Sequence, residues 1–443
     1  MDYNALDTKI ATLGEPKIQT PLNKNIRGSD LKNFINDADK IIVDVFANDL
    51  NRLYREGKTP SAFEPAGPRE KIFFDPSKLK CALVTCGGLC PGLNDIIRSI
   101  VLGLYHGYSV KNIYGIKYGL QGFIPEYGHD VVDLTPAFVG DILNMGGSVL
   151  GSSRGPQDID EIVDCLERMG IGILFAIGGD GTLKAASKIA DCITNRKIKI
   201  SVVGVPKTID NDIVFTSKSF GFDTAVDVAT MAIKAAHNEA EGYPNGIGLI
   251  KLMGRHSGCI AATATLAQQD VNFVLVPEVD FDLEGPNGLL ASIENRLLER
   301  KHAVIVVAEG AGQKFFNVND KKQHDESGNI RFGNIGQFLK NEITSYFNAK
   351  HINATLKYID PSYMIRSLPA NPNDSVFCGF LGRNAVHAGM AGKTRLMVSN
   401  WNKHFVHVPL ALTVGIRKKI IRHGRLWRTV LETTGQGSMK NDI

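Results

Sequence analysis

Three aspartates close to glycines follow two apolar runs in the middle of the chain. Asp180 follows the run 173–177, within the sequence Gly-Gly-Asp-Gly-Thr, and Asp210 and Asp212 follow the run 200–205. Carboxylates at such turns can hold Mg²⁺ directly or through water. The N–H groups of a glycine-rich turn that opens a helix can meet a polyphosphate. These residue types therefore indicate phosphoryl transfer.

The segments around these aspartates are typical of a strand, a crossover helix and a second strand. Both apolar runs have strand length, and residues 183–196 carry apolar side chains at helical spacing. Such a unit favours a parallel sheet, whose ligands lie beyond the carboxyl ends of the strands. We therefore expect Asp180, Asp210 and Asp212 to lie together at one mouth of the sheet, beside glycines that leave room for a close ligand.

A similar arrangement occurs upstream. A predicted strand at 81–85 runs into Cys-Gly-Gly-Leu-Cys-Pro-Gly-Leu-Asn, and a predicted helix begins near Asp95. By themselves these residues leave two interpretations open, a phosphate site and a tight packing turn. Downstream, the patterns predict strands at 247–252, 273–276 and 303–307, and helices at 224–239 and 259–267.

Several of these motifs resemble the phosphofructokinases. Pro206-Lys207-Thr208-Ile209-Asp210-Asn211-Asp212 resembles the family signature, and it follows the Gly-Gly-Asp-Gly-Thr turn by one strand, as in the family. The runs 87–94, 118–122, 146–154 and 253–255 are similar to further family motifs in the same order. The resemblance covers roughly residues 79 to 415 and is greatest to the long ATP-dependent 6-phosphofructokinases of plant and trypanosomatid type.

The resemblance implies an α/β fold with two Rossmann-like domains, each a mostly parallel sheet flanked by helices, after an N-terminal extension. We expect the extension at 1–75, a donor domain at 76–221 with about 365–415, a sugar-phosphate domain at 222–364 and a basic tail at 416–443. In the extension, residues 30–55 predict one helix. It would pack against a neighbouring subunit or against the main body.

On the donor side, the resemblance assigns ATP binding to one set of residues and Mg²⁺ to Asp180 and Asp212. The ATP-binding set is Gly87, Arg154, Gly179, Asp180, Gly181, Thr182 and Lys207. Family members that use pyrophosphate carry an aspartate at the position of Gly181, which would crowd the α-phosphate of ATP, and a lysine at the position of Lys207. Because the absence of a clash is required for ATP whereas a lysine can turn aside, Gly181 predicts ATP as the donor.

On the acceptor side, the resemblance implies transfer of the γ-phosphoryl group to the 1-hydroxyl of fructose 6-phosphate. Asp210 would take the hydroxyl proton, Thr208 would position the reacting group and Arg255 would stabilise its charge. The predicted substrate-binding residues are Thr208, Ile209, Asp210, Met253, Gly254, Arg255, Glu309, Lys357, Tyr363 and Arg366. One family feature is missing. The family has an arginine near position 246 that binds the sugar phosphate, and the segment 242–246 contains none.

Three other functions stay open. A pyrophosphate-dependent phosphofructokinase is the main alternative. An NAD or lipid kinase would share Gly-Gly-Asp-Gly-Thr, but it would not need the motifs at 206–212 or 253–255. A regulatory subunit without activity is disfavoured because Asp180, Asp210 and Arg255 are all present.

The composition is that of an ordinary globular enzyme. The formal charge of +4 is small against 50 basic and 46 acidic residues, so no nucleic-acid or membrane partner is expected. Seven cysteines without a Cys-x-x-Cys pair suit a reducing compartment, and Cys86 and Cys90 are interpreted as buried thiols rather than metal ligands. We found no targeting signal, and we predict a cytoplasmic protein that forms a homotetramer by family likeness.

Two features near the C-terminus invite other interpretations. The run Gly389-Met-Ala-Gly-Lys-Thr ends like a Walker loop, but His387 stands where that motif needs glycine. A basic run includes Arg417, Lys418, Lys419, Arg422, Arg425 and Arg428. Its favoured interpretation is a solvated helix face, with an anionic effector site second and nucleic-acid binding a distant third.

Overall fold

The structure, a computed structural model, describes residues 6–22, 34–316 and 331–441. Its chain divides into two compact units. The first unit holds the described residues up to Thr208, Ile213–Gly221 and Leu368–Ile416, and the second holds Ile209–Asp212, the described residues from Phe222 to Ser367 and those from Arg417 onward. The chain therefore passes from one unit to the other several times.

The strands of the described residues are labelled in chain order. They are β1 (Ala11–Thr12), β2 (Ile18–Gln19), β3 (Ile41–Ile42), β4 (Ala62–Pro65), β5 (Lys71–Ile72), β6 (Lys80–Thr85), β7 (Asn112–Ile116), β8 (Val131–Asp133), β9 (Ile173–Gly178), β10 (Ser201–Pro206), β11 (Gly246–Leu252), β12 (Phe273–Leu275), β13 (His302–Ala308), β14 (Thr355–Ile359), β15 (Lys393–Thr394), β16 (Leu396–Trp401) and β17 (His404–Pro409).

The helices of the same residues are labelled in the same way. They are α1 (Ala47–Arg55), α2 (Leu93–Leu102), α3 (Ile159–Met169), α4 (Asp180–Asn195), α5 (Phe222–Glu241), α6 (Cys259–Gln268), α7 (Leu289–Arg300), α8 (Ile335–Ala349), α9 (Ser362–Ser367), α10 (Pro372–Met390) and α11 (Arg425–Thr434). The helices and strands predicted from 81 to 308 are present, with ends that differ by a few residues. Within the described residues, no helix is both long enough and apolar enough for a membrane span.

The first unit is built on a nine-stranded sheet with the order β3-β4-β17-β16-β10-β9-β6-β7-β8. Its centre is parallel, and β9 and β10 are buried along their whole length. Strands buried on both faces need continuous apolar sequence, which explains the runs at 173–177 and 200–205. Because β6, β9 and β10 are parallel neighbours, their carboxyl ends lie at the same edge of the sheet.

The N-terminal segment is part of this sheet. Strand β4 pairs with β17, and Val43 and Phe63 are buried in the same apolar core as the central strands. The helix predicted at 30–55 is confirmed only at α1, from residue 47 onward. It is wrong over 34–46, where β3 pairs with β4. Residues 30–33 of the predicted helix lie outside the described part of the chain. The Asn36 and Asp44 side chains accept hydrogen bonds from backbone N–H groups two residues on, which competes with helix formation.

The second unit has a parallel sheet with the order β12-β13-β11-β14. Helix α5 packs against β11, β13 and β14, and a separate apolar core fills the unit. The fold class predicted from the sequence, α/β with mostly parallel sheets and flanking helices, is confirmed. Antiparallel pairing in the first unit is found among the outer strands of the large sheet and in two small pairs.

The C-terminal residues belong to the second unit. Helix α11 begins only at Arg425, so the prediction of one helix face that carries the whole basic run is wrong. Arg417, Lys418 and Lys419 precede the helix. Their contacts, described below, explain the difference, because two of the three side chains bind the turn at 209–212 instead of pointing along a helix.

Candidate active site

Predicted donor residues follow three adjacent strands of the first unit, two of which end in glycine-rich turns. Gly87 lies after β6, the turn 179–182 lies after β9, and Lys207 lies after β10. The Gly87 N–H donates to the Ser153 carbonyl at 3.1 Å, and the Lys207 N–H donates to the Gly178 carbonyl at 3.0 Å. The predicted donor residues of this unit are therefore brought together by backbone hydrogen bonds at one sheet edge.

The turn at Gly87 is held tightly by the loop that carries Arg154. The Ser152 hydroxyl donates to the Gly87 carbonyl at 2.6 Å. Gly87 has φ +82°, and a Cβ there would lie 3.3 Å from the Lys207 Nζ. Arg154 lies at the end of this loop and is exposed, so its guanidinium is accessible to an anionic ligand.

The second turn leads directly into a helix. Helix α4 begins at Asp180, and the Thr182 N–H donates to the Gly179 carbonyl at 2.9 Å. A Cβ on Gly179 would lie 3.3 Å from the Lys207 carbonyl oxygen, whereas a Cβ on Gly181 would meet no described atom within 4 Å. The helix N-terminus thus combines N–H groups with open space at Gly181, as an approaching phosphate requires.

Lys207 is buried, and its ammonium group is turned toward the upstream glycine turn. Its Nζ donates to the Gly88 carbonyl at 2.6 Å. Cys86, in the same region, is also buried, and burial raises the pKa of its thiol to about 12. The Cys90 thiol donates to the Phe220 carbonyl at 3.3 Å. Cys86 and Cys90 are thus buried thiols, as the sequence analysis interpreted them.

The acceptor residues of the second unit follow adjacent strands. Arg255 lies after β11 and Glu309 after β13, and the Glu309 N–H donates to the Leu252 carbonyl at 2.9 Å. Gly254 has φ +129°, and a Cβ there would lie 2.6 Å from the Ser257 carbonyl oxygen. Only glycine fits this approach, which explains the Met-Gly-Arg sequence at the strand end.

The turn at 209–212 brings its acids to these residues. The Arg255 N–H donates to Asp210 Oδ2 at 3.3 Å. Asn211 has φ +52°, a left-handed conformation that asparagine tolerates better than most residues. Asp212 is buried, and Ile209 before the acids is buried as well. The sequence Ile-Asp-Asn-Asp therefore forms a tight turn with two acids.

The electrostatics of this turn are unusual. Burial, the Asp212 carboxylate and the Glu309 carboxylate together raise the pKa of Asp210 to about 8. Burial also raises the pKa of Glu309. Positive charge at this place would lower both values, so the donor set suits a divalent cation, whose preferred ligands are carboxylate oxygens. The meeting of Asp180 with this turn stays a prediction, because Asp180 belongs to the first unit.

The remaining predicted substrate residues lie around β14. Lys357 Nζ is 3.8 Å from Glu239 Oε2 and 4.9 Å from the centre of the Tyr243 ring. The Arg366 guanidinium lies 4.8 Å from the centre of the exposed Tyr363 ring and acts electrostatically on Glu309. Arg366 is thus linked electrostatically to Glu309, whereas Lys357 contacts Glu239 and Tyr243. Met253 is half-buried at the end of β11.

Sequence reasoning missed two cations of this site. Arg417 Nη1 lies 3.0 Å from Asp212 Oδ2, and Lys418 Nζ donates to Asn211 Oδ1 at 3.0 Å. Burial lowers the pKa of Lys418 to about 8. The basic run was visible in the sequence, but its partners lie about two hundred residues upstream, and no local periodicity connects the two.

Two mostly parallel sheets flanked by helices, with glycine-bearing and acidic turns at the carboxyl ends of their parallel strands, define an α/β protein. A family model described as phosphofructokinase matches residues 80–389. The chain belongs to the phosphofructokinase family.

Relatives agree over nearly the whole length. The ATP-dependent 6-phosphofructokinase of Borreliella burgdorferi is 52% identical and aligns over 98% of each chain. ATP-dependent 6-phosphofructokinase 1 of Arabidopsis thaliana is 43% identical over 96% of this chain and 88% of its own. Among solved structures, the pyrophosphate-dependent phosphofructokinase of Marinobacter aquaeolei superposes with a TM-score of 0.66 over 81% of this chain and 92% of its own. At 21% identity, that match shows the fold alone.

Proposed function

We propose that the protein is an ATP-dependent 6-phosphofructokinase, which makes fructose 1,6-bisphosphate and ADP from fructose 6-phosphate and ATP in glycolysis. One observation carries the proposal. The Asp210 carboxylate is buried beside Asp212 and Glu309, which raises its pKa to about 8, and it accepts a hydrogen bond from the Arg255 N–H. A buried carboxylate at this place can accept a proton from an alcohol, and a divalent cation bound beside it would keep it ionised.

In this mechanism, Asp210 removes the proton from the 1-hydroxyl while that oxygen attacks the γ-phosphorus. Arg255 places its guanidinium charge beside the transferring group, and Thr208, two residues before the base, positions the reacting oxygen. Glu309 accepts hydrogen bonds from sugar hydroxyls, and Arg366 binds the sugar phosphate with Lys357 and Tyr363. Positioning and charge stabilisation supply most of the rate.

The cofactor in this proposal is Mg²⁺, held by Asp180 and Asp212. When bound, it neutralises the phosphate oxygens of the donor. The acids themselves fit such an ion because they are hard oxygen ligands, and the raised pKa of Asp210 marks a place where negative charge is in excess. Gly87, Arg154, Gly179, Gly181, Thr182 and Lys207 would line the donor.

The donor is proposed to be ATP because of the room at Gly181, where a Cβ would meet no described atom within 4 Å. Relatives named ATP-dependent 6-phosphofructokinase support the same donor. Pyrophosphate remains the second candidate, since a lysine occupies position 207. Its Nζ is held by the Gly88 carbonyl at 2.6 Å, a position that leaves Gly181 unobstructed by that side chain.

Parallel assays test the proposal. Purified protein with Mg²⁺ and fructose 6-phosphate should turn over with ATP and much more slowly with pyrophosphate. Faster turnover with pyrophosphate would reverse the donor assignment. Binding of fructose 6-phosphate without turnover with either donor would favour a regulatory subunit. The homotetramer and the cytoplasmic location stay predictions, and sedimentation equilibrium of the purified protein tests the first.

A further inference from the structure

Residues 417–422, here termed the C-terminal strap, return the chain to the turn that carries the catalytic acids. Besides the ion pair of Arg417 with Asp212, the Lys418 N–H donates to the Asp212 carbonyl at 2.7 Å, and the Lys418 side chain binds Asn211. Backbone and side-chain groups of the strap therefore contact residues 209–212, here termed the acid turn. The strap itself lies outside the region that the family model matches, residues 80–389.

The other end of the strap is tied to the loop of Arg255. Glu278 is buried, and its Oε1 accepts the Ile420 N–H at 2.8 Å. Both of its carboxylate oxygens accept the Gly258 N–H at 3.1 Å, and its carbonyl accepts from Arg422 Nε. Gly258 ends the loop that begins after β11. Glu278 thus joins the strap to the segment that presents Arg255.

These contacts have a consequence for the acid turn. Asn211 holds a left-handed backbone conformation between two acids, and the hydrogen bond from Lys418 to its side chain supports this turn. The strap supplies hydrogen bonds to Asn211 and Asp212 and a guanidinium that offsets the charge of Asp212. Without the strap, the acid turn would lose these hydrogen bonds and the positive charge of Arg417 beside Asp212.

We propose that Arg417 is a positioning residue of the phosphoryl transfer, which holds Asp212 in place and exchanges with the divalent cation there. This inference rests on the proposed function. A guanidinium and a metal ion both seek the same carboxylate oxygen, so occupancy of Asp212 Oδ2 by Arg417 competes with the cation. Release of Asp212 on cation binding leaves the backbone bonds of the strap to keep the turn in place.

The test compares Arg417→Gln with Arg425→Gln, which removes the same charge from the exposed start of α11 in the same basic run. Because Arg417 competes with the cation for Asp212, Arg417→Gln should lower the Mg²⁺ concentration that gives the half-maximal rate by about fivefold. Arg417→Lys should restore part of this shift. Arg425→Gln should leave that concentration unchanged.

Binding of Mn²⁺ to the enzyme without nucleotide provides a readout separate from activity. With the competing guanidinium gone, the Mn²⁺ affinity of Arg417→Gln should rise by about fivefold, the size expected for a partly exposed ion pair. Unchanged or lower Mn²⁺ affinity of Arg417→Gln would overturn the inference. Because the Mn²⁺ titration needs no substrate, its result stands even if the proposed reaction is not catalysed.

A second, independent cluster lies at the other end of the second unit's sheet. His237 and Glu241 are one helical turn apart at the end of α5, and His302 is the first residue of β13. One ligand atom of each lies within 4.8 Å of the other two. His237 Nε2 is 3.5 Å from Glu241 Oε2, and the centroids of the two imidazole rings are 5.4 Å apart.

The histidines present suitable nitrogens. His302 Nδ1 lies 3.2 Å from the Arg300 carbonyl, which fixes the proton on Nδ1 and leaves the lone pair on Nε2. A metal-binding histidine commonly donates its second N–H to a backbone carbonyl in this way. In His237, Nδ1 is shielded from solvent, so Nε2 is the nitrogen available to an ion.

We infer that His237, Glu241 and His302 bind a first-row transition-metal ion such as Zn²⁺, with water as the fourth ligand. Two imidazoles and one carboxylate form a donor set typical of zinc. The site ties the end of α5 to the start of β13. Glu309 follows the opposite end of that strand, roughly 20 Å away at about 3.3 Å per residue. The ion would therefore act on structure rather than on phosphoryl transfer.

Cobalt titration of the purified, metal-stripped protein tests this site. One equivalent of Co²⁺ should give a visible absorption band, which His237→Ala and His302→Ala should each abolish. His423→Ala, at an exposed histidine outside the cluster, should retain the band. A band that survives both cluster variants, or none in the wild-type protein at stoichiometric Co²⁺, would refute the assignment.

Discussion

Two buried acids of this protein have opposite ionisation behaviour. Glu64 lies in the first unit in an ion cluster with Arg69, Lys393 and His407, at 2.7, 2.7 and 3.0 Å. Burial opposes its ionisation, but the hydrogen bond and charge of His407 and the charge of Lys393 outweigh burial and lower its pKa to about 2. In the second unit, burial and the neighbouring Asp212 and Glu309 raise the pKa of Asp210 to about 8.

Burial is common to both acids, so the sign of the neighbouring charges decides the outcome. In the ion cluster, cations pair a buried carboxylate that joins the N-terminal strand β4 to β15 and β17. Around Asp210, Asp212 and Glu309, here termed the acid cluster, burial and the repulsion between carboxylates outweigh the opposing charge of Arg417, and a cation or a proton would relieve that repulsion. The first arrangement supports the fold, and the second is suited to chemistry.

The largest expected effect separates the acid cluster from the ion cluster by activity. Asp210→Asn removes the proposed base while keeping its shape, so kcat should fall by about 10²- to 10⁴-fold with little change in substrate binding. Steady-state kinetics with ATP and fructose 6-phosphate measures this. Asp227→Asn, at an exposed position on α5, is the matched control. Near-normal activity of Asp210→Asn would remove Asp210 from the role of base.

The ion cluster should respond in stability instead. Glu64→Gln removes the buried carboxylate partner of Arg69 and Lys393 and leaves both of them paired with the exposed Asp37, so the free energy of unfolding should fall by about 3 kcal/mol. Urea unfolding measures the change. Glu432→Gln breaks an exposed pair with Arg428 on α11 and should cost at most about 0.5 kcal/mol. If folded Glu64→Gln lost as much activity as Asp210→Asn, the claim that the ion cluster supports the fold and not the chemistry would be wrong.

The contribution of Glu64 to stability should also depend on pH. The pKa of Glu64 is about 2 in the folded protein against 4.5 as the ordinary value, so the unfolded chain takes up the proton first. Its contribution is complete above pH 4.5 and is lost as pH falls toward 2, by about 3 kcal/mol in total. The unfolding free energy of wild type minus that of Glu64→Gln, followed from pH 6 downward, should shrink. A difference that is constant with pH would contradict this.

The smallest expected effect concerns Gly181 of the first unit, where a substitution should change activity but not stability. Because a Cβ at Gly181 meets no described atom within 4 Å, Gly181→Asp should leave stability nearly unchanged. Its bulk and charge should still lower kcat/KM for ATP by about tenfold or more, through repulsion of the donor phosphates. Gly437→Asp, at another open glycine, is the control. Unfolding of Gly181→Asp at a clearly lower denaturant concentration than the wild-type protein would show that the glycine serves the fold.

Local sequence patterns predicted most of the elements that bear the site. The apolar runs and glycine turns located β6, β9, β10, β11 and β13 within a few residues, because burial on both faces demands continuous apolar sequence. The predicted helix at 30–55 failed over 34–46. There Asn36 and Asp44 bind nearby backbone, and β3 pairs with a strand about twenty residues away.

The order of glycines and acids along the chain determined by itself which turns carry the glycines and the acids of the proposed site, since those turns directly follow strands. The tertiary structure alone decided the surroundings of each acid. Arg417 reaches Asp212, and His407 reaches Glu64, across more than two hundred residues of sequence. Electrostatic energy depends on distance in space rather than along the chain. The ionisation of Glu64 and Asp210 therefore became visible only once the chain was folded.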